Sequence, residues 1–69
     1  MAATIHAMPI LDVTLMTGRS YEKKKTLIKE LTDATVRALE VSPERVRVIV
    51  REIHPSHFAV AGEPKGEPE

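Results

Sequence analysis

Two arginines and one proline are the residues of this sequence that best suit chemistry on a small anion. Arg19 follows a first apolar run, and Arg47 lies within a second one. A guanidinium presents a planar pair of donors that matches a carboxylate, and it is charged at any working pH. Pro9 follows Met8, so a chain that starts at Met8 exposes a secondary amine once the methionine is removed. The three residues predict a site for a carboxylate substrate, with surface ion pairs as the alternative for each arginine.

Other kinds of site find little support in the sequence. There is no cysteine, no phosphate-binding glycine loop and no serine in a nucleophile elbow. His54 and His57 are three residues apart around a proline, and no third ligand completes a zinc site. We therefore predict neither a metal nor a cofactor.

The composition of the chain limits which partners and which cellular location we expect. The chain has 10 Lys and Arg against 10 Asp and Glu, which gives no reason to expect nucleic acid or an anionic membrane as a partner. No apolar run approaches the ~20 residues of a membrane span. Because the sequence also lacks cysteine and a recognisable signal peptide, we expect a cytoplasmic protein.

The spacing of apolar residues predicts the elements that position the site. Residues 10–15 form an apolar run interrupted by Asp12 and Thr14, which is typical of a strand with one buried face. A helix is predicted over residues 21–39, with Ser20 as its N-cap. Its apolar stripe has spacings of four, three and four residues: Leu27, Leu31, Ala34 and Ala38.

A second strand is predicted over residues 45–52, with valines on one face and mostly arginines on the other: Val46, Val48 and Val50 against Arg45, Arg47, Ile49 and Arg51. The order strand, helix, strand predicts an α+β chain in which one right-handed crossover helix joins two parallel strands. A two-stranded sheet with one bare, partly apolar face is unstable alone, so we expect self-association. Residues 57–62 are predicted to form an edge strand or a hairpin, and residues 64–69 a disordered tail.

Several landmarks carry a resemblance to a known family. They are Pro9-Ile10, Gly18-Arg19-Ser20, residues 25–28 (KTLI), residues 46–49 (VRVI), His57-Phe58 and Gly62. From residue 9 to residue 62 the chain resembles the 4-oxalocrotonate tautomerase family in its short, single-motif form. The resemblance implies a β-α-β subunit with a short C-terminal hairpin, assembled as a hexamer that is a trimer of dimers.

The resemblance also implies a mechanism and a substrate class. Such enzymes move a proton in a 2-hydroxydienoate or a related 2-oxo acid, in the breakdown of aromatic compounds. Pro9, as a terminal amine, is then the general base and acid, because desolvation and nearby arginines lower the pKa of its cation from the ordinary ~8. Arg47 from a neighbouring subunit polarises the enolate oxygen, and Arg19 holds the far carboxylate. Phe58 forms an apolar wall that keeps the site dry, with subunit packing as its alternative role.

The chain departs from the family pattern at its start. We divide it into a leader of residues 1–8, a tautomerase domain of residues 9–63 and a flexible tail of residues 64–69. We expect translation to start at Met8, because the family resemblance begins at Pro9. If the leader is retained, the nitrogen of Pro9 is a tertiary amide without a basic lone pair. The leader then lengthens the first strand through residues 4–7, and the chain is a catalytically silent oligomer or a carboxylate-binding module.

A related hydration or dehalogenation activity is a further alternative. Relatives with that activity use an additional arginine and a carboxylate to activate water. Met16 stands where the added arginine is expected, and residues 58–62 contain no Asp or Glu. The sequence therefore favours the tautomerase reaction.

Overall fold

A strand, a long helix and a second strand form the main unit of the chain, as seen in a computed structural model that describes residues 8–67. The elements are β1 (Ile10–Met16), α1 (Tyr21–Leu39) and β2 (Arg47–Ile53), followed by a hairpin of β3 (Ala59–Val60) and β4 (Glu63–Pro64). Short 3₁₀ turns, Pro43–Arg45 and Pro55–His57, precede β2 and the hairpin. Since β1 and β2 are parallel, the predicted α+β chain with a β-α-β crossover and a C-terminal hairpin is confirmed.

The pairing of β1 with β2 sets which residues are neighbours across the sheet. The register runs from Ile10 opposite Arg47 to Met16 opposite Ile53. The strand was predicted from residue 45, and this start is two residues too early. Arg45 belongs to the preceding 3₁₀ turn, where its N–H donates to the carbonyl of Ser42 at 3.1 Å.

Helix α1 has the limits that its sequence predicts. The hydroxyl of Ser20 accepts the N–H of Lys23 at 3.2 Å, which confirms Ser20 as the N-cap. At the other end Glu40 takes a left-handed conformation, with φ 56° and ψ 49°, and its N–H donates to the carbonyl of Val36 at 3.0 Å. This conformation ends the helix and reverses the chain toward β2.

The helix covers one face of the sheet and leaves the other open. The valines of β2 are half-buried on the helix side, whereas Ile10 is 67% exposed and Ile49 41% exposed on the far side. None of the residues 8–67 is fully buried. The radius of gyration is 15.9 Å, against about 11 Å for a compact chain of this length. A single subunit thus lacks the enclosed core of an independent domain.

The hairpin extends ordered structure past the predicted end of the domain at residue 63. Ala61 and Gly62 both have positive φ, 54° and 82°, which is the signature of a two-residue type I′ turn. Pro64 pairs with Ala59, and the N–H of Lys65 donates to the carbonyl of Phe58 at 2.8 Å. These contacts correct the prediction of a flexible tail for the first part of residues 64–69.

Two predictions concern parts of the chain that the structure does not describe. Residues 1–7 of the predicted leader, including the proposed strand extension over residues 4–7, lie outside the described residues, as do residues 68–69 of the tail. Within residues 8–67, no helix has the length and apolar character needed to cross a membrane.

Candidate functional site

Pro9 lies at the amino end of β1, beside an apolar cavity. Its carbonyl accepts the N–H of Arg47 at 3.0 Å, which begins the parallel ladder. The cavity has a volume of about 420 Å³ and lies between the start of β1 and the second half of α1. Its walls are almost entirely hydrocarbon, contributed by Pro9, Ile10, Leu11, Leu31, Ala34, Thr35, Ala38 and Leu39. Apolar walls of this kind favour the uncharged form of an amine that is buried against them.

The nitrogen of Pro9 is an amide in the described chain because Met8 precedes it. An amide nitrogen cannot accept a proton at working pH. The position therefore suits a base only when Pro9 is the first residue of the chain.

Arg47 lies at the same end of the sheet as Pro9. It is opposite Ile10 in the register, so its side chain lies on the sheet face turned away from α1. The Nη1 group donates to the carbonyl of Glu44 at 2.6 Å. This bond orients the guanidinium and uses one of its five N–H donors, which leaves capacity for an anion.

Arg19 and Phe58 lie at the opposite end of the sheet. Arg19 follows the carboxyl end of β1, and its Nη1 donates to the carbonyl of Met16 at 3.3 Å. Phe58 follows the carboxyl end of β2 and is 40% exposed. Since six residue steps of about 3.3 Å separate the two ends of β1, about 20 Å lies between them.

One subunit therefore does not bring the four predicted site residues together. Pro9 and Arg47 share one end of the sheet, and Arg19 and Phe58 share the other. An arginine side chain reaches far less than the length of β1. A small carboxylate that contacts both pairs must lie between different subunits.

Two ion pairs that the sequence patterns did not predict join distant elements of the subunit. Arg51 holds Asp12 with two hydrogen bonds, 2.9 Å from Nε and 3.0 Å from Nη2, across the open face of the sheet. Hydrogen bonds from Arg51 lower the pKa of the Asp12 carboxyl from its ordinary value, against a smaller opposing effect of desolvation. Lys24 Nζ lies 2.9 Å from Glu52 and ties the start of α1 to β2. Each pair joins residues far apart in sequence, so the only signal was opposite charge on facing elements.

The two histidines near Phe58 have a local structural role. His54 Nδ1 accepts the N–H of Ser56 at 3.1 Å and lies 2.8 Å from the hydroxyl of the same residue. The rings of His54 and His57 are 6.2 Å apart, edge to face. In the described part of the chain, no three His, Cys, Asp or Glu side chains come together as a metal site.

The fold defines a class of protein: a small parallel β-α-β subunit with one crossover helix and a C-terminal hairpin, in which the predicted site residues lie at both ends of the sheet. Residues 9–67 match the family described as tautomerase enzymes. The chain belongs to the tautomerase family and is an isomerase of that family. The resemblance to 4-oxalocrotonate tautomerases inferred from the landmark residues is thereby confirmed.

Individual relatives agree with this assignment. The chain is 47% identical to a 2-hydroxymuconate tautomerase of Pseudomonas fluorescens over 57 residues. This alignment covers 83% of this chain and 90% of the relative. A 4-oxalocrotonate tautomerase isozyme of Methylibium petroleiphilum superposes with a TM-score of 0.78 at 38% identity, covering 83% and 89% of the two chains. A 4-oxalocrotonate tautomerase of Chloroflexus aurantiacus, described as a heterohexamer, has a TM-score of 0.79 at 36% identity, covering 84% and 94%. One solved relative of this fold is thus a hexamer.

Proposed function

We propose that this tautomerase moves a proton in unsaturated 2-hydroxy or 2-oxo acids that resemble 2-hydroxymuconate. The observation that carries the proposal is the position of Pro9, at the end of β1 beside an apolar cavity, with its carbonyl accepting the main-chain N–H of Arg47. The 47% identity to a 2-hydroxymuconate tautomerase supports the same substrate class. The place in aromatic breakdown and the cytoplasmic location remain predictions.

Pro9 is the proposed general base and acid. As a terminal secondary amine it takes the proton of the substrate's 2-hydroxyl group and returns a proton to a carbon of the conjugated chain. Substrate and product then differ only in the position of one proton and of the double bonds. The apolar wall of the cavity disfavours the ammonium form, so the amine is available as a base near neutral pH.

The arginines have separate proposed roles. Arg47 of a neighbouring subunit stabilises the negative charge that develops on the enolate oxygen, an interaction that strengthens in the transition state. Arg19 binds the far carboxylate and positions the substrate. Phe58 excludes water from the site, which strengthens both charged contacts.

We propose that the working form is a hexamer built as a trimer of dimers. Two features support assembly: the open sheet face with its exposed isoleucines, and the separation of Pro9 from Arg19 within one subunit. Contact with other subunits covers the open sheet face and brings a Pro9 and an Arg19 of different chains into one site.

A second candidate function is a silent tautomerase-fold module that binds carboxylates. The observation that favours it is Met8, whose peptide bond makes the nitrogen of Pro9 an amide. Arg19 and Arg47 can bind an anion whatever the state of this nitrogen.

The experiment compares a chain that begins at Pro9 with the full chain of 69 residues. Ketonisation of 2-hydroxymuconate is followed by the loss of dienol absorbance, and the intact mass of protein from the native host identifies the first residue. We expect activity only from the chain that begins at Pro9. An inactive chain with a free Pro9 amine and an intact assembly would overturn the proposed reaction in favour of the silent module.

A further inference from the structure

The segment after β4 contacts the turn that carries Phe58, although the sequence predicts a flexible tail there. We propose that Gly66 is a positioning residue for the reaction: its missing side chain lets this segment pack on Pro55 and so fixes Phe58 at the edge of the site. We call the Lys65–Phe58 hydrogen bond and the Gly66–Pro55 packing together the tail contact. The inference rests on the proposed role of Phe58 in excluding water.

The main chain of Phe58 is held from two directions. Its N–H donates to the carbonyl of Pro55 at 3.0 Å, within the 3₁₀ turn. Its carbonyl accepts the N–H of Lys65 at 2.8 Å, from the segment after β4. Both peptide groups that flank the Phe58 side chain are therefore fixed, and the second fixation depends on where residues 65 and 66 lie.

Glycine is required at position 66 because Pro55 leaves no room for a side chain, and not because of its backbone conformation. A β-carbon at this position would overlap the side chain of Pro55 and would lie 3.1 and 3.2 Å from its carbonyl carbon and Cα. Gly66 is half-buried and is absent from the glycines with positive φ, which are Gly18 and Gly62. Any larger residue must therefore push the two segments apart.

The turn is the stiffer of the two segments, so the tail is the one that moves. The ring of Pro55 fixes its φ. His54 caps the turn by accepting the N–H of Ser56 at 3.1 Å, and the N–H of His57 donates to the carbonyl of His54 at 2.8 Å. A side chain at residue 66 thus displaces Lys65 and weakens its hydrogen bond to Phe58.

The test uses chains that begin at Pro9 and the 2-hydroxymuconate assay. We expect Gly66→Ala to lower kcat/KM about tenfold, since a misplacement near 1 Å can cost up to about a hundredfold. Glu67→Ala is the matched control, because its neighbouring exposed side chain makes no hydrogen bond or ion pair among residues 8–67, and it should keep wild-type activity.

A double variant separates positioning from general damage. If Gly66 acts through Phe58, then Phe58→Ala with Gly66→Ala is no less active than Phe58→Ala alone. Losses that multiply in the double variant would overturn the inference. A chain ending at residue 64 removes the tail contact without inserting a side chain, and it should repeat the Gly66→Ala result even if that variant folds poorly.

Hydrogen exchange at the Lys65 amide reads the tail contact independently of activity. Protection should fall in Gly66→Ala and stay in Glu67→Ala. Unchanged protection in Gly66→Ala would overturn the tail contact, and lost protection with wild-type kcat/KM would overturn its role in the reaction. An inactive wild-type chain with a free Pro9 amine would instead overturn the proposed function, and with it the role of Gly66 in the reaction. The hydrogen-exchange result would still decide whether the tail contact forms.

Discussion

The separation of Pro9 from Arg19 within one subunit predicts that two impaired variants complement each other when their subunits are mixed. The two residues lie at opposite ends of β1, about 20 Å apart. If both act on one substrate as proposed, the Pro9 and the Arg19 of one site belong to different chains. In assemblies of Pro9→Ala and Arg19→Ala subunits, some sites combine the intact residue of each chain.

The expected recovery follows from counting sites. In a random equal mixture, a site receives an intact Pro9 with a chance of about one half and an intact Arg19 with a chance of about one half, so roughly one quarter of the sites are complete. Pro9→Ala exchanges the secondary amine for a primary one, and we expect its cost to lie at the low end of the about 10²- to 10⁴-fold effect of a general base. Loss of a charged hydrogen bond of about 1.5–3 kcal/mol costs about 10- to 150-fold. Recovery to roughly 25% of wild-type kcat/KM thus exceeds the activity of either variant alone.

The assay requires proof that the subunits have mixed. The two variants are unfolded, combined and refolded, native mass spectrometry identifies the mixed assemblies, and ketonisation of 2-hydroxymuconate measures activity. Pro9→Ala mixed with the double variant Pro9→Ala/Arg19→Ala is the control, because it contains no intact Pro9 and should show no recovery. Mixed assemblies that are no more active than the sum of their parts would place Pro9 and Arg19 of one chain in the same site and refute the reasoning.

Three other predictions test the arginines, an ion pair and a turn. Arg19→Ala should mainly raise KM and Arg47→Ala mainly lower kcat, and steady-state kinetics with the opposite pattern would exchange the two roles. Because Arg51 lowers the pKa of Asp12 from 3.8, their pair contributes stability that is complete above pH 3.8 and is lost as the pH falls through the lower pKa. Asp12→Asn should therefore flatten the acid side of a plot of unfolding free energy against pH. An unchanged acid side would assign the acid sensitivity to other groups. Ala61→Asn should stabilise the hairpin by about 0.5–1 kcal/mol, since Asn tolerates the positive φ of this position better than Ala, and calorimetry at fixed protein concentration that shows a lower Tm would contradict this.

The local sequence determined the helix and the strands, because the pattern that defines each of them involves residues close together along the chain. The spacing of Leu27 and Leu31 fixed the helical face, and Ser20 fixed where α1 begins, since an N-cap acts within three residues. The alternation in β2 placed its valines toward the helix, and the order strand, helix, strand predicted parallel pairing. The start of β2 was predicted two residues too early because Pro43 favours a turn that the valine alternation does not reveal.

Tertiary structure alone decided which distant residues meet. Asp12 and Arg51 are 39 residues apart, and they pair only because the register of β1 and β2 places them diagonally on one face. The placement of the predicted site residues at two ends of the sheet likewise follows from parallel strands, whose amino ends lie together and whose carboxyl ends lie about 20 Å away. Gly66 has no local signal, because its role comes from Pro55 approaching too closely for a side chain. The sequence by itself determined the family and predicted the site residues, and the packing of segments far apart in sequence decided where those residues lie.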